Sequence, residues 1–142
     1  MKLQISVGQQ ELAGFINIDA TTQPVDLGNL DSICEAAECT EILINDVLKF
    51  MPYDKLPEVV HHLSSKLRHG AKITFIFTDV NSVIREYNRG AVNEKLLNEL
   101  LLGGARSTFS YDYMLRIIKA VRLELLEADL SKEQIVITAK RP

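Results

Sequence analysis

Residues 3–19 constrain the fold of this chain more than any other stretch. Leu3 to Val7 and Phe15 to Ile18 are short runs rich in Ile, Val and Phe, as strands are. Gly8 turns the chain after the first run, the short link Gln9 to Gly14 follows, and Asp19 stands alone where the second run ends. In an open α/β sheet, ligands bind in the crevice beyond the carboxyl ends of the strands. A carboxylate there can accept hydrogen bonds from both hydroxyls of a ribose, which points to a nucleoside-type ligand. The turn carries one glycine where dinucleotide-binding turns carry three, so the pattern speaks against that class of cofactor.

Strand and helix patterns then alternate. Gln23 to Leu27 reads as a third short strand, held to a start or an edge by Pro24, and Asp31 to Ala37 as a brief helix. Glu41 to Asp46 is a compact apolar run closed by polar residues, as a buried parallel strand is. Leu56, Val59, Val60, Leu63 and Leu67 fall at helical spacing, with Gly70 expected at the helix C-terminus. Ala71 to Thr78 is the strongest strand pattern, and Asp79 is placed to cap a helix through about Tyr87. Further helices are expected over Val92 to Leu102, before Gly103-Gly104, and after Ser110, with Met114, Ile117, Ile118 and Val121 as the buried stripe. Glu124 to Glu127 and Gln134 to Ala139 read as two strands joined by a polar turn. The sum predicts one α/β domain over residues 1–142: an open, mostly parallel Rossmann-like sheet with helices on both faces and an antiparallel C-terminal strand pair.

Composition excludes several function classes. With 142 residues, 46% hydrophobic and 25% charged, the chain can bury a full core. The net charge of -3 and the lack of a basic stripe speak against nucleic acid as a partner. Cys34 and Cys39 lack metal-site spacing, and adjacent His61 and His62 point about 100° apart on a helix, so no metal site is expected. Two cysteines, no apolar run of signal-peptide length and no segment near ~20 apolar residues predict a cytoplasmic protein with reduced thiols and no membrane span.

The order of short phrases resembles that of small class I S-adenosylmethionine-dependent methyltransferases. The phrases are Gly14 to Asp19, Val25-Asp26-Leu27, Val47 to Pro52, Leu67 to Ala71, the strand ending at Asp79, and Gly103-Gly104 ahead of Ser110. The resemblance covers essentially the whole chain and implies S-adenosylmethionine as cofactor, with a small-molecule or sugar-like acceptor. It implies a cofactor-binding set of Ser6, Val7, Gly8 and Gln9 toward the methionine part, Asp19 toward the ribose, Asn29 and Leu30 toward the adenine, and Asn45 with Asp46 near the methyl group.

Three departures from the family pattern stand out. Ser6 replaces the first glycine of the Gly-x-Gly turn, where a Cβ can hold a ligand away from the backbone. Asn29 stands where an acidic residue is usual, and Lys49-Phe50 replaces Glu-His, so no catalytic residue is assigned. Asp46 suits either substrate contact or helix capping, and Asp79 suits capping better than catalysis. Two functions follow: methyl transfer, or a degenerate non-catalytic member acting as an interaction or regulatory subunit. The leucine face of Leu96 to Leu102 is compatible with a homodimer or a catalytic partner subunit.

Overall fold

The alternation in β4 sets the architecture. Along Lys72-Ile-Thr-Phe-Ile-Phe-Thr78, the side chains of Ile73, Phe75 and Phe77 are buried, whereas those between them are exposed or half-buried. Successive side chains point to opposite faces of a sheet, so one face of this strand packs in the core and the other does not.

The computed structural model describes residues 1–130 and 134–142. Among them the chain forms β1 (Lys2–Ser6), β2 (Ile16–Asp19), β3 (Cys39–Asn45), α1 (Leu56–Lys66), β4 (Leu67–Thr78), α2 (Val80–Asn88), α3 (Glu94–Leu102), α4 (Tyr111–Ala120), β5 (Glu124–Asp129) and β6 (Gln134–Lys140). Two short 3-10 turns, at 48–50 and 53–55, precede α1. The sheet order is β2-β1-β3-β4-β6-β5, parallel from β2 to β4 and antiparallel at β6 and β5. This is the mostly parallel sheet with an antiparallel C-terminal pair that the sequence implies. The polar turn expected between the last two strands falls in part on residues 131–133, which lie outside the described residues.

Register aligns the core across the sheet. Leu3 pairs with Ile42, Ile42 with Ile73 and Ile73 with Ala139; Ile5, Ile44, Phe75 and Ile137 form the next row. The helices α1 and α4 pack against each other, burying Leu56, Val59, Val60 and Leu63 of α1 and Met114, Ile117 and Ile118 of α4. The alternate rows are mixed: Gln4, Leu43, Thr74 and Thr138 in one, Asn45, Ile76 and Val136 in the next, and Glu41, Lys72, Lys140 and Glu124 toward the other end. Over β1 this side is covered by the loop after Gln9, where the Gln4 amide donates to Asn17 Oδ1 at 2.7 Å and to Gln10 O at 3.3 Å. Lys72 is exposed and Thr74, Thr138 and Lys140 half-buried, so this end of the face is reached by water.

Three local expectations are corrected. Gln23 to Leu27 forms no strand: Leu27 is buried, but the carboxylate of Asp26 accepts from Gly28 N at 2.8 Å and bends the chain into a turn. Asp31 to Ala37 is a set of turns and not a helix. Leu30 O accepts from Ile33 N and Cys34 N, but Glu35 N goes to the Glu38 carboxylate and Ala37 turns left-handed at φ 56°. Gly70 does not end α1. The helix stops at Lys66 because Leu67, fully buried, pairs at once with Cys39 as the first residue of β4. The register then jumps to Glu41–Lys72, and the extra residues bulge around Gly70 at φ +81°.

Candidate functional site

The carboxyl ends of β1 and β2 lie side by side, with Ser6 paired to Asp19. Ser6 is buried, extended strand, so the backbone itself has no need of glycine there. Gly8 turns the chain at φ +79°, a conformation side chains rarely adopt. The N–H groups of this turn, which in a ligand-binding turn face the ligand, are engaged within the chain. Val7 N donates to Gln9 Oε1 at 2.6 Å, and Gly8 N donates to Asp19 Oδ1 at 3.1 Å.

Asp19 gathers three donors on one oxygen. Besides Gly8, Thr21 N at 2.9 Å and the Thr21 hydroxyl at 2.6 Å reach Oδ1. The Thr21 hydroxyl foremost, with the Thr21 and Gly8 N–H groups, holds the carboxyl below its ordinary value. Asp19 thus closes the turn through Oδ1, while its Oδ2 has no hydrogen bond among the described residues.

Asn29 and Leu30 sit in a turn fastened to α1. Leu30 N donates to His62 Nε2 at 2.8 Å, and Lys66 Nζ lies 2.5 Å from the Asp31 carboxylate. Leu30 is fully buried, so its side chain belongs to the core. Asn29 Oδ1 accepts from Asp31 N at 3.1 Å, an Asx turn. At the end of β3, Asn45 pairs with Ile76, and Asp46 follows in the left-handed region at φ 60°. Asp46 caps no helix with its side chain. Its carboxylate takes the Lys49 ammonium at 2.9 Å instead, and the 3-10 turn starting at Leu48 has no side-chain cap. Asp79 does cap, through Oδ2 to Ser82 N at 2.9 Å.

A groove of about 420 Å³ opens between the segment after β2 and the segment after β3. It is lined by Ala20, Val25, Asp26, Leu27, Val47, Phe50, Met51 and Arg106, among others. The structure thus brings Ser6, Val7, Gly8, Gln9 and Asp19 to one corner. The groove begins one residue beyond that corner, and none of the nine expected residues lines it. Sequence held a trace of it, since Val25 to Leu27 and Val47 to Pro52 are phrases of the family resemblance. Arg106 carries no such signal; its N–H donates to Lys49 O at 2.7 Å, which docks a distant loop here.

The sheet is of the open α/β kind, in which ligands bind beyond the carboxyl ends of the strands, and the groove lies at those ends. No protein-family model matches the sequence, and no curated protein does. Solved structures match the fold. A Bacillus halodurans protein assigned to the methyltransferases superposes at a TM-score of 0.70 with 8% identity, over 99% of this chain and 92% of that one. The 1,6-didemethyltoxoflavin N1-methyltransferase of Burkholderia thailandensis, solved with 1,6-didemethyltoxoflavin and S-adenosylhomocysteine, matches at 0.64 with 12% identity, over 98% and 70%. A Haloferax volcanii protein of this class, solved with the Trm112 methyltransferase activator, matches at 0.61 with 7% identity, over 94% and 64%. At these identities the likeness is one of fold. Among the described residues, no helix is long and apolar enough to cross a membrane.

Proposed function

We propose that this protein binds S-adenosylmethionine at the carboxyl edge of its sheet and transfers a methyl group to a small-molecule or sugar-like acceptor. The groove between residues 20–27 and 47–51, one residue beyond Asp19, carries this reading. Its apolar walls suit an adenine ring, and Asp19 Oδ2, without a hydrogen bond among the described residues, would accept from ribose hydroxyls. The cofactor supplies a methyl group already activated on a sulfonium. The chain's part is to hold the nucleoside, exclude water and align the acceptor, which can supply much of the acceleration without a strong base. Two buried thiols fit a cytoplasmic setting.

Isothermal titration of the folded protein with S-adenosylmethionine and S-adenosylhomocysteine tests this reading. Heat with both, lost in Asp19→Ala, is the expected result; no heat from folded protein refutes it.

A second reading has its own observation. Val7 and Gly8 spend their N–H groups on Gln9 and Asp19, and Lys49 is tied to Asp46, as in a site that has ceased to turn over. Such a protein would act as an interaction or regulatory subunit beside a catalytic partner or a second copy. Light scattering that finds a strict monomer with measurable cofactor affinity counts against it.

A further inference from the structure

At the edge of the sheet opposite Asp19 lies a cleft of about 540 Å³ that the methyl-transfer reading does not use. Segments far apart in sequence build it. Ser64 and His61 come from α1, His69 from the bulge in β4, Arg122 from the turn after α4, and Arg141 from the exit of β6. Among the described residues, no Asp or Glu lines it. The chain has no acidic residue between Glu58 and Asp79 or between Asp112 and Glu124, and Glu124 is paired with Lys140 at 3.5 Å. The net charge of -3 hides this local excess of cations, which only folding assembles.

Helix ends do not account for it. Lys66 and Lys119, in the last turns of α1 and α4, complement the negative helix ends as cations there do. His69 and Arg141 stand on strand segments instead. Arg122 holds a left-handed φ of 64°, where its N–H donates to Lys119 O and that of Leu123 to Ile118 O, at 3.1 and 3.0 Å. This is the glycine position of a Schellman turn, so a guanidinium is kept there against the preference of the backbone. It makes no ion pair among the described residues. Arg141 is anchored by Nη1, which donates to Leu67 O at 2.6 Å. Ser64, on the cleft wall, is about nine-tenths buried, yet its hydroxyl has no hydrogen bond among the described residues. His69 Nδ1 lies 2.8 Å from Pro142 O, which can only accept, so Nδ1 carries a proton and Nε2 remains for a ligand.

We propose that this cleft binds a small, multiply charged phosphate, held by Arg122 and Arg141 with Ser64 Oγ and His69 Nε2 beside them. A guanidinium presents paired N–H groups that match two phosphate oxygens. Two such groups with no facing carboxylate suit a dianion better than a single carboxylate ligand. The free ion and a phosphate ester share this chemistry. The site stands apart from the cofactor groove, so it does not rest on the methyl-transfer reading.

Calorimetric titration at fixed ionic strength with pyrophosphate, inorganic phosphate and glycerol 3-phosphate tests the cleft. Expected is saturable heat with pyrophosphate and a Kd raised about tenfold or more in Arg122→Gly. Glycine suits the left-handed turn, so the melting temperature of that variant should hold or rise and lost binding cannot be blamed on misfolding. Tighter binding of glycerol 3-phosphate than of inorganic phosphate assigns the site to an ester; the reverse assigns it to the free ion. No saturable heat with any of the three probes overturns the proposal, and so does equal affinity in Arg122→Gly. A twelve-nucleotide single-stranded RNA that binds more tightly than pyrophosphate overturns it in favour of a nucleic acid.

Discussion

The N–H of Tyr111 donates to Asp79 Oδ1 at 2.9 Å, although the two residues lie 32 positions apart. The other oxygen of the same carboxylate accepts from Ser82 N and from the Ser82 hydroxyl, at 2.9 and 2.7 Å. One buried side chain thus starts α2 and fastens the first turn of α4, whose own cap is Ser110. Asp79→Ala is expected to cost about 2–4 kcal/mol, from a lost cap of ~1 and a stranded N–H of about 1–3. Asp79→Asn keeps one acceptor oxygen and should fall between. Urea unfolding of the three proteins checks the order.

Acid sensitivity should centre on two carboxylates. The Lys66 ammonium holds Asp31 below its ordinary value of 3.8, first by its hydrogen bond and then by its charge, and the Thr21 hydroxyl does the same for Asp19. A carboxyl with a depressed folded value favours the folded state when ionised. Its contribution is complete above about pH 4 and disappears as pH falls through the depressed value. Asp31→Asn should therefore lower the urea midpoint at neutral pH and flatten its decline in acid. Lys66→Met, which removes a buried ammonium and keeps the shape, should cost less at neutral pH than Asp31→Asn, which leaves that ammonium unpaired. Equal slopes in acid for wild type and Asp31→Asn would refute the assignment.

Strands and helices whose apolar residues kept a clear period were legible in the sequence. Ile73, Phe75 and Phe77 in β4 and Met114, Ile117 and Ile118 in α4 announce their buried faces directly. The errors fell where a distant contact overrode local preference. Gly70 reads as a helix stop, yet the pull of Leu67 into the core brings the strand forward by several residues. Asp31 to Ala37 has the composition of a helix, but the Glu38 carboxylate takes the Glu35 N–H that a helix would give to Asp31 O, and Ala37 turns left-handed. At the site, Asp19 and the glycine turn were readable as a strand tip. That Gln9 would fill the Val7 N–H, or that Arg106 would border the groove, depends on side-chain placement that no spacing encodes.

Cysteine chemistry offers a separate check on the core. Burial, and next the neighbouring Cys34 thiol, push the Cys39 thiol up to about 12. The thiolate is the reactive form, so Cys39 should resist iodoacetamide in the folded protein at mildly alkaline pH. Mass spectrometry should find it modified only once denaturant is added. Rapid alkylation of Cys39 in native buffer would mean that this end of β3 opens far more readily than its complete burial implies.

Gln9 holds the sharpest test of whether the altered turn still serves a ligand. Its Oε1 sits 2.6 Å from Val7 N, where a cofactor's carboxylate or backbone-facing group would otherwise compete. Gln9 is itself exposed, so replacing it should leave the fold intact. Gln9→Ala removes the internal acceptor and leaves the Val7 N–H free at the turn. If that N–H belongs to the cofactor site, affinity for S-adenosylhomocysteine should rise about 2- to 10-fold, the worth of one hydrogen bond of 0.5–1.5 kcal/mol. Gln9→Glu, which keeps an acceptor and adds a charge beside Asp19, should lower it. Calorimetric titration that finds wild type and Gln9→Ala equal in affinity would place the cofactor's contacts elsewhere on the sheet edge.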